Sequence, residues 1–253
     1  MDTDPFAKAL TSATKKLDFL NRSFLCYSLS SLQAGAYLTI VGVVFWTMRE
    51  SFEGAPLGRL ISSLFFGVGL STIVFTGTEL FTSNNFYLAV SSLMKKTRWS
   101  DALRLWSVCW IGNFAGAILI ALLLWGAGLV DLAPNHALMA GARHKIEMPA
   151  NEIFFKGFLA NWVVCLAVWV NLHLKEDTAR FAAIILIVFI FLYLGFEHSI
   201  ANMGVFAIAF MADSSFPLTG AAHNLLWSTL GNIFGGALGM GGVVWLMQET
   251  KPA

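Results

Sequence analysis

Gly195-Phe196-Glu197-His198-Ser199-Ile200-Ala201-Asn202 interrupts an apolar run, 181–212, that is longer than one membrane crossing needs. The same pattern occurs in Gly77-Thr78-Glu79-Leu80-Phe81-Thr82-Ser83-Asn84, inside the apolar run 60–94. Both stretches read Gly-x-Glu, then four residues, then Asn. Each is followed by a second marker, Gly112-Asn113-x-x-Gly116 and Gly231-Asn232-x-x-Gly235, at steps of 35 and 36 residues from the first glycine. A chain that repeats itself this way, with glycine-interrupted apolar segments at matching positions, is expected to carry a solute past the interruptions.

Composition places the chain in a bilayer. Of 253 residues 57% are hydrophobic and only 12% charged, with 22 Phe and 9 Trp, a balance that a soluble core of this size does not require. Six apolar segments are read at 26–48, 60–94, 103–128, 153–173, 181–212 and 222–247. Four are close to the length of a spanning helix. The second and fifth are too long, and are predicted to be pairs of half-helices joined by irregular backbone, which is tolerated at membrane depth only where protein or a water-filled cavity satisfies its polar groups. The expected fold is therefore an all-α membrane protein, a single domain over 1–253, with six transmembrane helices as an inverted 3+3 repeat. Three spans per repeat is an odd number, so the halves insert with opposite topology. The first spans, around Gly35 and Gly157, match poorly, and the repeat rests on the second and third spans of each half.

Charge placement gives the orientation. Lys8, Lys15, Lys16, Arg22, Lys95, Lys96, Arg98, Arg104, Lys175, Arg180 and Lys251 fall on the side of the termini, 11 of the 16 basic residues. Arg49, Arg59, Arg143, Lys145 and Lys156 fall on the other. The positive-inside rule then places both termini in the cytoplasm. Residues 1–23 carry four basic and three acidic residues, too charged for a signal peptide, and Phe6, Leu10, Ala13, Leu17 and Leu20 recur at helical spacing. An amphipathic helix at the cytoplasmic interface is expected there. Cys26, Cys109 and Cys165 have no metal or disulfide spacing and read as free, buried thiols. No metal, cofactor or nucleic-acid partner is expected. The longest connection is 129–152.

Ionisable groups inside apolar spans are costly and mark function. Glu79 and Glu197 recur in both halves, so they are read first as structural groups that accept backbone NH bonds at the helix breaks, with a proton relay as the alternative. His198 has no histidine counterpart, because Leu80 stands at the matching position. A repeat that breaks its own symmetry with a titratable group points to function, against the plainer reading of a satisfied core histidine. Asn84 and Asn202 begin new half-helices, whose exposed amides favour anions, though helix capping explains them equally. Thr82 and Ser83 add hydroxyl donors. Gly112/Gly116 and Gly231/Gly235/Gly239 have the GxxxG spacing of close helix packing, within a subunit or between subunits.

At this point the residues resemble a known family. Gly-Thr-Glu-Leu-Phe-Thr-Ser-Asn (77–84), Lys-Gly-Phe-Leu-Ala-Asn-Trp-Val-Val-Cys-Leu-Ala-Val-Trp (156–169) and Gly-Phe-Glu-His-Ser-Ile-Ala-Asn-Met (195–203) are similar to the signatures of the formate/nitrite transporter family, and the similarity spans 25–247. The flanking stretches 151–157 and 221–227 look more like nitrite than formate channels. The resemblance implies an aquaporin-like fold in a homopentamer of a bacterial inner membrane, one pore per subunit, passing small monovalent weak-acid anions. It implies a central pore of His198, Thr82 and Asn202. It also implies constrictions from Leu70, Leu80 and Phe81 on one side and from Phe66, Val164 and Phe191 on the other, and an outer vestibule containing Lys145. Two other classes of function compete with this reading. A water or glycerol facilitator shares the six-span plan, but neither half contains Asn-Pro-Ala. An intramembrane enzyme would need an Asp pair, a Ser/His dyad or HExxH, and none is present.

Overall fold

The computed structural model describes residues 4–250. It is helical throughout, with no strand among the described residues, and six of its helices are long and apolar enough to cross a membrane. The helices are α1 (Pro5–Arg22), α2 (Phe24–Ser51), α3 (Gly58–Thr76), α4 (Phe81–Leu93), α5 (Trp99–Gly126), α6 (Ala137–Glu147), α7 (Ala150–His173), α8 (Asp177–Leu194), α9 (Ser199–Ala212) and α10 (Leu218–Glu249). Met1–Thr3 and the last three residues, including Lys251, lie outside the described part. The 129–152 connection is not only loop: α6 occupies its middle, started by the His136 ring, whose Nδ1 accepts the Leu138 NH.

The opening glycine of each repeated motif is where the chain leaves helix. α3 ends at Gly77 and α8 at Gly195, each in the left-handed region (φ 68° and 72°) that only glycine adopts at little cost. Three more residues, 78–80 and 196–198, run non-helical before α4 and α9 begin.

The spans pack by close backbone approach. A methyl group built on Gly116 would overlap the Leu32 carbonyl of α2, and one on Gly235 would overlap the Phe158 carbonyl of α7. The GxxxG runs therefore join α5 to α2 and α10 to α7 within one chain. α3 and α8 meet where Gly67 faces Ile185, whose Cα a methyl group would approach to 2.7 Å. Within α10, Gly235–Gly242 winds as a π-helix against α4; small residues leave room for that wider turn.

The hydrogen bonds define the repeat more sharply than the sequence does. The Asn113 amide donates to the carbonyls of Ser31 (2.6 Å) and Glu79 (2.9 Å), while its oxygen accepts the Phe81 NH (3.0 Å). Asn232 repeats this with the carbonyls of Gly157 (2.8 Å) and Glu197 (2.9 Å) and the Ser199 NH (2.8 Å). The first spans therefore correspond at Ser31 and Gly157, not at Gly35 and Gly157. The poor match in the sequence came partly from a misplaced register. The short helices α1 and α6 also correspond, since each precedes the first span of its half. Three crossings lie between them, which puts them on opposite faces.

Candidate functional site

Thr82, at the start of α4, and His198, the N-cap of α9, meet at the centre of the chain, both buried. Thr82 Oγ1 lies 3.0 Å from His198 Nε2. The other ring nitrogen is committed: Nδ1 accepts the Ala201 NH at 3.2 Å. A neutral ring in this geometry carries its proton on Nε2 and donates it toward Thr82. The two helix N-termini converge here, and their dipoles favour negative charge between them. Thr82 is itself fixed from behind, where its carbonyl accepts from Asn161 Nδ2 (3.1 Å).

Aromatic rings close the site on the α6 side. Phe191 stacks on His198 with centroids 5.7 Å apart, and meets Phe66 edge-on at 5.9 Å. Val164, Leu70, Leu80 and Phe81 are buried in the same apolar cluster. Beyond the rings opens a cavity of about 370 Å³ whose floor includes His198, Phe66 and Phe191 and whose walls carry Arg49, Arg59, His144, Lys145 and Lys156, with Glu197 the carboxylate among them. Four of the five Lys and Arg residues assigned to this face by the sequence reading thus line one mouth.

The glutamates do not cap the helix breaks. Glu197 accepts from Lys145 Nζ (2.6 Å), Asn202 Nδ2 (2.7 Å) and Asn224 Nδ2 (3.1 Å). Glu79 accepts from Lys16 Nζ (2.9 Å), Tyr27 Oη (3.2 Å) and Asn84 Nδ2 (2.9 Å). The first NH of each new half-helix, that of Phe81 and of Ser199, goes instead to Asn113 and Asn232. Each glutamate is a buried anion paired with one lysine from a short helix, α1 or α6. Asn202 lines the cavity, but its amide nitrogen is spent on Glu197 and Asn224. Asn84 serves Glu79 in the same way. Of the cysteines, Cys109 and Cys165 are buried, but Cys26 is exposed, facing outward from the start of α2.

Sequence reasoning missed Lys16, Asn113, Asn232, Asn161 and Asn224. For Asn113 and Asn232 the signal was present, because each is the Asn of the repeated Gly-Asn-x-x-Gly marker. For Lys16 there was none. It precedes its glutamate by 63 residues, whereas Lys145 precedes its own by 52, so the spacing does not repeat.

Opposed helix N-termini around a buried hydroxyl–imidazole pair give a site whose potential favours a small anion. The comparisons agree. Residues 4–246 match the family model described as Formate/nitrite transporter, and the chain belongs to that family. It is 36% identical to the uncharacterized transporter YwcJ of Bacillus subtilis, covering 100% of this chain and 99% of that one. It is 34% identical to the nitrite transporter NirC of Salmonella typhimurium, covering 100% and 95%. Among solved structures it superposes on an FNT family ion channel with a TM-score of 0.93 at 32% identity, covering 99% and 100%. With a pentameric formate channel with formate bound the TM-score is 0.75 at 28% identity, covering 88% and 97%.

Proposed function

We propose that five copies of this chain form a homopentamer in a bacterial cytoplasmic membrane, each with its own pore for small monovalent weak-acid anions, nitrite first and formate second, by proton-linked passage. Both termini are cytoplasmic, α1 lies at that interface, and the α6 side is the outer vestibule. The runs α3/α4 and α8/α9 act as the two broken spans of an inverted, aquaporin-like repeat in a single domain. The observation that carries this reading is the Thr82–His198 pair beneath the Phe66/Phe191 rings.

Arg49, Arg59, Lys145 and Lys156 concentrate the anion at the mouth. The rings, with Val164 on one side and Leu70, Leu80 and Phe81 on the other, strip its water. A bare anion pays heavily there, whereas low dielectric raises an acid's pKa and lets a weak acid enter neutral. A strong-acid anion lacks that option and is rejected. At the centre the solute replaces the Thr82–His198 contact and accepts from Nε2–H and from the threonine hydroxyl. With Nδ1 held by Ala201, the neutral ring has one proton to give, and losing it would leave an imidazolate. The neutralising proton therefore comes from the aqueous mouth, and His198 orients the acid.

The preference for nitrite draws support from the similarity to the nitrite transporter NirC. Initial influx of nitrite and of formate into proteoliposomes, compared between about pH 5 and pH 8, tests it. Faster nitrite influx that rises as pH falls is expected. Formate equal or faster removes the nitrite preference, and flux independent of pH removes proton linkage. His198→Phe should abolish influx in a folded protein, and undiminished pH-dependent flux in that variant would overturn the role of His198.

A further inference from the structure

On the face that carries the termini, away from the vestibule, a second cavity of about 400 Å³ lies between α1 and the α4–α5 connection. Lys95, Lys96, Arg98 and Arg104 line it, opposite Asp18 and Asn21 of α1. A further carboxylate in the wall, Asp101, is already used, since its Oδ2 accepts the Arg98 NH at 3.4 Å as part of the α5 capping box. Arg104 is held by Asn21 Oδ1 at 3.0 Å. No carboxylate pairs with Lys95, Lys96 or Arg98 among the described residues. The cavity therefore keeps an excess of positive charge, and the N-terminal end of the long helix α5 adds to it.

The local backbone presents these side chains at some cost. The Lys96 NH bonds the Ser91 carbonyl (2.9 Å) and the Lys95 NH the Ser92 carbonyl (3.0 Å), the pairing of a Schellman turn at the end of α4. Lys95 occupies its left-handed position (φ 56°), a slot that glycine ordinarily fills. A lysine kept there delivers charge to the cavity.

Depth in the bilayer narrows the ligand. Trp99 and Leu103, one turn apart on α5, are 45% and 58% exposed and are the chain neighbours of Arg98 and Arg104 in the cavity wall. Tryptophan collects at the headgroup level of a membrane, and basic pockets at that level bind anionic headgroups. We propose that this cavity binds a phosphate group, either the headgroup of an anionic phospholipid whose chains run along Trp99 and Leu103, or a free phosphate anion. A bound phosphate bridges α1 to the α4–α5 connection and so steadies the helix that brings Lys16 to Glu79.

The full-length chain, purified as its assembly in neutral detergent, is titrated with phosphatidylglycerol, phosphatidylcholine and inorganic phosphate, with binding followed by native mass spectrometry. Two variants are compared, neither placing the fold at risk. Lys95→Gly removes one cation and gives the turn its ordinary residue. Asp18→Asn removes the opposing carboxylate. Phosphatidylglycerol is expected to bind, with affinity falling about fivefold in Lys95→Gly and rising by a similar factor in Asp18→Asn. Displacement of the lipid by inorganic phosphate assigns the site to phosphate from either source, and lipid binding indifferent to phosphate assigns it to the headgroup. Both ligands binding the variants as they bind the parent chain, or phosphatidylcholine binding as well as phosphatidylglycerol, overturns the proposal.

Discussion

The Lys145–Glu197 pair is the most quantitative handle on this site. Lys145 Nζ lies 2.6 Å from Glu197 Oε1, and the two side chains are only 15% and 3% exposed. In Lys145→Met the carboxylate keeps two neutral donors, Asn202 and Asn224, but loses its countercharge. Leaving one buried charge of a pair uncompensated costs about 3–5 kcal/mol. Glu197→Gln strands the ammonium and should cost a comparable amount. The double variant Lys145→Met/Glu197→Gln has no charge to strand: the glutamine oxygen still accepts from Asn202 and Asn224, and only the neutral amide NH2 goes unpaired, at about 1–3 kcal/mol. For a chain of this size each kcal/mol moves the thermal midpoint by about 2–4 °C. Each single variant should therefore lose roughly 6–20 °C and the double no more than either single, as read by fluorescence-detected size-exclusion after heating in detergent. A loss in the double equal to the sum of the singles would refute the reasoning, because it would mean the two groups act independently. The mirrored pair, Lys16 with Glu79, should give the same pattern.

Thr82→Val keeps the shape at the centre but removes a hydroxyl, leaving His198 Nε2–H without its partner. Influx of the preferred anion should drop at least tenfold while the assembly elutes normally, and unchanged influx would show that Thr82 does not touch the solute. Gly116→Ala should prevent a folded assembly, since the added methyl overlaps the Leu32 carbonyl and the clash is with backbone; a normal elution profile would count against that packing. Asp213, in the α9–α10 loop, accepts from the Ser215 hydroxyl and NH, which hold its carboxyl below the usual range. A depressed carboxyl contributes stability that is present above its unfolded pKa and is lost as pH falls through the folded value, hence only below about pH 4. Ser215→Ala should raise that titration when followed by NMR of the labelled carboxyl, and should leave the pH profile of transport untouched.

The vestibule also explains an apparent irregularity in the charges. The face away from the termini is the poorer in basic residues, yet Arg49, Arg59, Lys145 and Lys156 are gathered around one cavity. Arg59 bonds the Tyr193 carbonyl and stacks over its ring at 5.2 Å. Lys156 pairs with Glu152 one helical turn away at 2.6 Å. Cations on the face poorer in basic residues are thus concentrated around one cavity, the mouth that the proposed function gives to the anion, rather than scattered over the surface.

By itself the sequence determined what is local or periodic. Hydropathy located six apolar runs to within a few residues of their helices, because burial in lipid demands about twenty apolar residues in a row. Glycine and its neighbours placed the ends of α3 and α8, because Gly77 and Gly195 adopt a backbone conformation other residues resist. Comparing the repeats set His198 apart from Leu80. Tertiary structure decided what depends on who meets whom. Helix α6 escaped the reading because its eleven residues, Ala137–Glu147, are too few and too weakly patterned to stand out from a loop. Local pattern suggests backbone capping for the glutamates, yet each pairs with a lysine from a helix far away in sequence and with neutral side-chain donors. The capping fell to Asn113 and Asn232, each a whole span away. Nor does any stretch of sequence say that Nδ1 of His198 is taken by Ala201 and Nε2 turned to Thr82. A buried polar group must find a partner, and which partner it finds is fixed only when α4, α5, α9 and α10 have closed around it.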